Sequence, residues 1–193
     1  MSKVAVVNVK NVNDSPLQER DGSLVEGAVA QIVVVVANYN KDEQVPGTHY
    51  TPDIVDRFEV SGDIVNDAKH MYREFSNFMM GYQDATLMHW GQFIYNFLSA
   101  LSDEANGDFQ EDFPAESEQV VNMQVTFREH LSMRRFVSFR DAFSKIAGRK
   151  IIPSEYEEIY TLAENQVRFL PHALGHRFLK RHDIKKNRET SKR

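Results

Sequence analysis

The sequence predicts a mainly α fold, with a helical core of about five to six helices. Three observations predict it. Apolar residues recur at intervals of three and four through most of residues 61–182, which is the spacing of one helical face. β-Branched residues concentrate in residues 1–60 and indicate an extended, β-prone N-terminal region. Residues 185–193 contain no apolar side chain, so we expect residues 183–193 to form a polar, basic and flexible C-terminal tail.

The composition bounds the class of protein. The chain has 193 residues, of which 41% are hydrophobic and 13 are Phe, which is typical of a packed core. It has no cysteine, which excludes disulfides and thiolate catalysis and fits a reducing compartment. No signal-peptide pattern opens the chain, and the longest apolar run, at residues 32–37, is too short to span a bilayer. We therefore expect a soluble protein with no membrane partner.

The N-terminal region, residues 1–60, is expected to be an extended arm or a small sheet. Valines around residues 4–9 and a mostly apolar segment at 29–36 predict two strands, of which the second is more buried, and Pro46-Gly47 ends the second. Two or three strands do not form a stable sheet alone. We expect them to pack on the helical part, or to pair with each other or with a neighbouring copy.

A helical hairpin is expected at the start of the helical core, which we place at residues 61–182. Ser61 is the predicted cap of the first helix, residues 81–84 form a turn, and a loop follows the second helix at 102–118. The apolar positions of the two helices share helical spacing: Ile64, Ala68, Met71, Phe75 and Phe78 in the first, and Trp90, Ile94, Phe97 and Leu101 in the second.

The rest of the core is predicted to be helical and basic. Gly148 is a predicted helix stop, a capping box at residues 154–157 predicts a new helix start, and Pro171 begins or kinks a last helix. Two apolar stripes precede the stop: Met123, Phe127 and Leu131, and then Phe136, Phe139, Phe143 and Ile146.

The net charge of −5 conceals an asymmetry along the chain. Residues 1–120 carry 7 Lys/Arg against 20 Asp/Glu, whereas residues 121–193 carry 16 against 8. A basic half is typical of a protein with a polyanion partner. It also suits contact between unlike faces of neighbouring copies, or a monomer whose halves neutralise each other.

A basic helix around residue 140 is the predicted binding site. On one helix, Arg134, Ser138 and Lys145 would share a face opposite much of the Phe stripe. Arginine offers two parallel donors to a phosphate, so such a face suits nucleic acid. The alternative is an ordinary amphipathic helix with a solvated basic face. The predicted nucleic-acid-binding residues are Arg134, Arg135, Ser138, Arg140, Lys145, Arg149 and Lys150.

Patterns for catalysis and metal binding are weak. The sequence has no phosphate-binding glycine loop, no dinucleotide fingerprint and no nucleophile elbow. His172 and His176 lie one helical turn apart and could share a metal ion, but a third ligand cannot be placed. Cations surround both rings, so a phosphate contact or a surface role suits them better. We predict a protein that is not an enzyme, with no metal site and no cofactor.

Residues 138–147, SFRDAFSKIA, resemble the core helix of the coat proteins of flexuous filamentous plant viruses. That helix carries a hydroxyl residue, Phe and Arg, followed by aromatic and small residues. The resemblance implies an extended N-terminal arm, a helical core and a polar C-terminal arm, with an arm of one subunit docked on the next. It also implies a basic groove that holds single-stranded RNA, lined by Arg140 with Ser138 nearby.

These observations lead to one favoured function and two rivals. The favoured function is a self-assembling structural protein that binds single-stranded RNA through a basic helical face, as a viral coat or nucleocapsid protein in the virion and host cytoplasm. Its partners would be RNA and other copies of itself, in a homo-oligomer or filament. The alternative is a helical protein-interaction or regulatory protein without nucleic acid. A third hypothesis is a small helical enzyme that uses His172 and His176.

Overall fold

The computed structural model describes residues 2–39, 53–114, 119–130 and 132–170. It has an α/β fold, so the prediction of a mainly α fold is wrong. A five-stranded mixed sheet forms the middle layer, and helices cover both of its faces. The predicted helical core over residues 61–182 contains two of these strands and the end of a third.

The sheet has the strand order β3-β2-β1-β4-β5. β1 and β2 are antiparallel, as are β2 and β3, whereas β4 is parallel to β1 and β5 is parallel to β4. β2 therefore runs against the other four strands. Their bounds are β1 (Ser2–Asn11), β2 (Val29–Tyr39), β3 (Asp53–Asp63), β4 (Ala85–His89) and β5 (Val120–Asn122).

The two strands predicted from valine-rich segments are confirmed as β1 and β2. Both lie inside the sheet, with β1 at its centre. Alternate β1 residues face opposite layers: Val4 and Val6 pack in one core, and Ala5 and Val7 pack in the other. β2 is apolar along most of its length because a strand covered on both faces has no solvated side. These strands thus form the interior of the protein.

Three helices cover the face of the sheet that carries Ala5 and Val7: α1 (Ala68–Met80), α2 (Gln92–Glu104) and α3 (Phe109–Asp112). The predicted first helix is confirmed as α1. Its predicted cap is wrong, because Ser61 lies in β3. The predicted second helix corresponds to α2, but it begins only at Gln92, since the preceding residues form β4 and Trp90 precedes the helix. Phe109, in the predicted acidic loop, is buried in α3.

The other face carries α4 (Met123–His130), α5 (Phe139–Ala147) and α6 (Ile159–Leu170), with a short 3-10 helix at Pro153–Glu155. Gly148 ends α5 with a φ of 65°, the left-handed conformation that glycine adopts without strain, so the predicted stop is confirmed. Pro46-Gly47, Leu131, the helix predicted after Pro171, His172, His176 and the predicted tail lie outside the described residues.

The helix start predicted near residue 154 lies one turn too early. The Glu155 carboxylate accepts a hydrogen bond from the backbone N–H of Ile152 at 2.9 Å, which caps the short 3-10 helix. α6 starts at Ile159, where the Glu158 carboxylate accepts bonds from the N–H groups of Tyr160 and Thr161, at 2.9 and 2.5 Å. The bond to the start of the turn comes from Glu155 and not from the predicted Glu157, so the capping pattern identifies a helical turn in this segment but neither its capping residue nor the long helix. Within the described ranges, no helix is long and apolar enough to cross a membrane.

Candidate functional site

The carboxyl ends of β1 and β4 form the candidate position of a ligand site. These strands are parallel neighbours, and the chain leaves β1 toward β2 on one side and β4 toward β5 on the other. Ligands of open α/β sheets bind outside the carboxyl ends of strands whose connections diverge in this way. We call this region the carboxyl edge of the sheet.

Neutral polar side chains line the inner part of the carboxyl edge. The Asn8 side-chain amide donates to Gln166 Oε1 on α6 at 2.8 Å, and both residues are buried. His89, at the end of β4, is 3% exposed, and its Nδ1 lies 2.8 Å from the carbonyl oxygen of Gly91. Burial lowers the pKa of His89, which favours a neutral ring. The inner part of this edge therefore carries hydrogen-bonding groups without charge.

A loop at residues 132–138, which we call the arginine loop, lies against the carboxyl edge. The indole Nε1 of Trp90 and the amide Nε2 of Gln124 both donate to the carbonyl oxygen of Val137, at 3.2 and 2.8 Å. At the other end of the loop, the N–H of Met133 donates to the carbonyl oxygen of Arg128 at 2.9 Å. The side chains of Met133 and Val137 pack on the core. The loop is thus anchored on both sides of its tip.

The tip of the arginine loop consists of Arg134, Arg135 and Phe136, all of them exposed. The two arginines were predicted to lie on a helix, but α5 begins only at Phe139. Phe136 was predicted to belong to a buried stripe, yet 52% of its surface is exposed. The guanidinium carbon of Arg128 lies 4.1 Å from the centre of its ring, a cation–π contact.

Ser138 has a structural role at the start of α5. Its Oγ accepts a hydrogen bond from the N–H of Asp141 at 3.1 Å and donates to the Asp141 carboxylate at 2.8 Å. A serine in this position satisfies one of the free N–H groups of the first helical turn. Asp141 is therefore bonded to the cap.

The predicted cations along α5 differ in the side chains that they contact. Arg140 stacks over Tyr156, with 5.4 Å between the guanidinium carbon and the ring centre. Arg149 lies beyond the end of α5 and makes two hydrogen bonds to the Glu155 carboxylate, at 2.9 and 2.7 Å. The pair lowers the pKa of Glu155 to about 2. Arg149 is thus held by a carboxylate, whereas the remaining predicted cations are exposed: Arg134, Arg135, Arg140, Lys145 and Lys150.

In the described ranges, no group of three or more His, Cys, Asp or Glu side chains is placed to hold a metal ion. The exposed part of the carboxyl edge instead combines guanidinium groups with an aromatic ring. Chemically, such a surface can bind phosphates and planar bases.

Sequence reasoning missed several residues of this site. Trp90 and Gln124 anchor the arginine loop from segments that were predicted as helix. The sequence indicated a role for Asn8, because a single amide within a run of valines is typical of a buried residue with a hydrogen-bond partner. Its partner Gln166 could not be found in this way, since it lies 158 residues further along the chain.

Comparison of the whole chain with models of protein families and with curated proteins finds no match. The function is therefore inferred from the geometry of the site.

Proposed function

We propose that this protein binds single-stranded RNA through the arginine loop and the exposed cations of α5, and that it acts by binding and not by catalysis. The observation that carries the proposal is the anchored tip of the loop. Arg134 and Arg135 are exposed side by side at the carboxyl edge, and neither guanidinium is bonded to a carboxylate among the residues that the structure describes.

Phosphate neutralisation would supply most of the affinity. Each cation that contacts a phosphate releases a counterion, so binding weakens as salt is added, by a slope of about 0.7 per contact on a logarithmic plot for single strands. Phosphate contacts carry no sequence information, so we expect weak sequence preference from these cations.

The chemistry of the inner edge supports a binding role. Asn8 and Gln166 are buried and hydrogen-bond to each other. His89 is buried against Gly91, out of reach of a ligand. These groups do not provide an exposed acid or base beside the cations.

Two double variants test the proposal. Arg134→Ala/Arg135→Ala removes the cations at the tip of the loop. Lys69→Ala/Arg73→Ala is the matched control, because it removes the same charge from exposed positions on α1, across the sheet. Affinity for a fluorescent oligouridine of about 12 nucleotides, within known site sizes, is measured by anisotropy over a range of salt concentrations.

We expect the loop variant to bind more weakly and its salt slope to fall by roughly 1.4, or 0.7 for each lost contact. The control should leave both quantities unchanged. Fluorescence of Trp90, the single Trp of the chain, provides a second readout, because its indole is bonded to the loop. Equal salt slopes for the two variants, or no binding by the wild type, would reject the proposal.

Assembly into a coat or nucleocapsid remains part of the proposal. The α/β fold differs from the helical core that the viral resemblance implies. The support for assembly therefore comes from β3. This strand has eleven residues and lies at an edge of the sheet, and no described strand pairs with its outer side, which suits pairing with a neighbouring chain. Electron microscopy of protein mixed with RNA tests it. Filaments or particles would support a coat role in a virion, and discrete monomers would refute it.

A protein partner is the second candidate function. The observation that favours it is the acidic character of β3, whose exposed positions include Asp53 and Glu59. The arginine loop of one copy would fit such a surface on another copy. Salt-sensitive self-association in the absence of RNA, measured by analytical ultracentrifugation and lost in Arg134→Ala/Arg135→Ala, would favour this function over RNA binding.

A further inference from the structure

We infer that Phe136, backed by Arg128, is a stacking platform for an unpaired base of single-stranded nucleic acid. The inference rests on the proposed function and deepens it. It names the feature that the site would recognise besides phosphate, which is the face of a base that has no base-pairing partner.

The position of Phe136 supports the platform. The residue lies between Met133 and Val137, whose side chains both pack on the core. The loop therefore passes close to apolar cover, yet 52% of Phe136 stays exposed to water. Leaving a large ring in water forgoes burial that would stabilise the fold. An anchored loop that nevertheless presents the ring is better suited to a ligand than to folding.

The neighbouring cations indicate which ligand would cover the ring. Arg128 stacks on Phe136 with 4.1 Å from its guanidinium carbon to the ring centre. Arg134 and Arg135 immediately precede the ring in the chain, so their Cα atoms lie within about 7 Å of that of Phe136. A nucleotide offers a planar base and a phosphate at comparable spacing. Positive charge around the ring disfavours an apolar or basic protein segment and suits a polyanion.

Whether a base can stack on Phe136 depends on whether that base is paired. In a duplex, each base face is already covered by its stacked neighbours, and contacts are made mainly with the backbone. In a single strand the bases are free to stack on an aromatic side chain. The platform therefore predicts a preference for single strands over duplex, while the arginines would bind both.

Three single variants test the platform. Phe136→Ala removes the ring, and Phe136→Tyr keeps an aromatic ring in its place. Ile152→Ala is the matched control, because Ile152 is exposed to a similar extent, 58%, and lies outside the arginine loop. The probes are the oligouridine of about 12 nucleotides and an RNA duplex of equal length, at one fixed salt concentration and then over a salt series.

For Phe136→Ala we expect binding of the single strand to weaken by about 5- to 150-fold, the range for loss of one base–aromatic stack. The salt slope and the duplex affinity should stay as in the wild type, since no cation is lost. Phe136→Tyr should retain most of the affinity, and Ile152→Ala all of it. Circular dichroism should show that all three variants fold.

The outcomes separate the platform from the proposed function. If the wild type binds RNA and Phe136→Ala binds the single strand equally well, the platform is rejected and the cationic site survives. An equal loss on single strand and duplex, or failure of Phe136→Tyr to retain binding, also rejects stacking. If the wild type binds neither probe, the proposed function fails, and the platform fails with it.

Discussion

The side-chain amide of Asn8 donates to Gln166 Oε1 at 2.8 Å and ties the central strand β1 to α6. Both residues are almost fully buried, at 3% and 1% exposure. The pair joins two segments that are far apart in the chain, and it lies where the carboxyl edge of the sheet meets the helical layer. Its effect on stability depends on both members, because a buried amide that loses its partner is costly.

A double-mutant cycle tests this dependence. Asn8→Leu or Gln166→Met alone leaves one buried amide without its partner, so we expect each to lower the free energy of unfolding by about 1–3 kcal/mol. The combined variant removes both polar groups at similar volume and should recover most of that loss. Urea unfolding followed by circular dichroism measures all four proteins. Additive losses in the combined variant would show that the pair is not coupled.

The capping role of Ser138 makes a second prediction. Ser138→Ala removes the side chain that caps α5, which typically costs about 1 kcal/mol. If Ser138 acts only as a cap, RNA affinity and its salt slope should be unchanged at a temperature where the variant is folded. Ser138→Asp retains a capping oxygen and should keep the stability of the wild type. A salt-independent loss of RNA affinity in Ser138→Ala, with stability intact, would instead place the hydroxyl in the binding surface.

The Arg149–Glu155 ion pair predicts a pH dependence. The folded-state pKa of Glu155 is about 2, lowered from an ordinary value of 4.5. A lowered carboxylate pKa contributes stability that is fully present above the unfolded-state value and is lost as pH falls toward the folded-state value. The Arg149 side chain is 56% exposed and that of Glu155 is 22% exposed, so solvent screens the pair, and the contribution should be small and should decrease with salt.

The stability difference between the wild type and Glu155→Gln measures that contribution. We expect it to be largest near neutral pH and to shrink between about pH 4.5 and 2. In Arg149→Met, the pKa of Glu155, read from its carboxyl resonance by NMR, should rise toward its ordinary value. A Glu155 resonance that titrates near 4.5 in the wild type would contradict the ion pair.

The central part of the sheet was predictable from the sequence, but the sheet as a whole was not. β1 and β2 consist of β-branched residues in runs that no helix would favour. β4 has five residues and β5 has three, so neither is long enough to show a period. Four of the five β4 residues are buried, and a short apolar run of this kind reads equally well as part of a helix.

The cations of the candidate site were predictable from the sequence, but the conformation of the segment that carries them was not. Arg134, Arg135 and Arg140 were identified by charge, which the sequence displays directly. The three-residue spacing from Phe136 to Phe139 predicted one continuous helix, but Ser138 caps α5 and separates the two rings. Trp90 and Gln124 hydrogen-bond to the loop beside Phe136 from distant segments. Such long-range contacts leave no local pattern in the sequence.

The place of β1 at the centre of the sheet has a consequence for folding. β1 to β3 can form their antiparallel ladder once residue 63 has left the ribosome. The other side of β1 can pair with β4 only after residues 85–89 are available. The long separation of the two strands in the chain slows this pairing. Until then a valine-rich strand offers unpaired backbone groups to other nascent chains, which is a hazard for aggregation. Slower synthesis of residues 64–89 would lengthen this exposure, so we expect the yield of native protein to fall when synthesis of that segment is slowed.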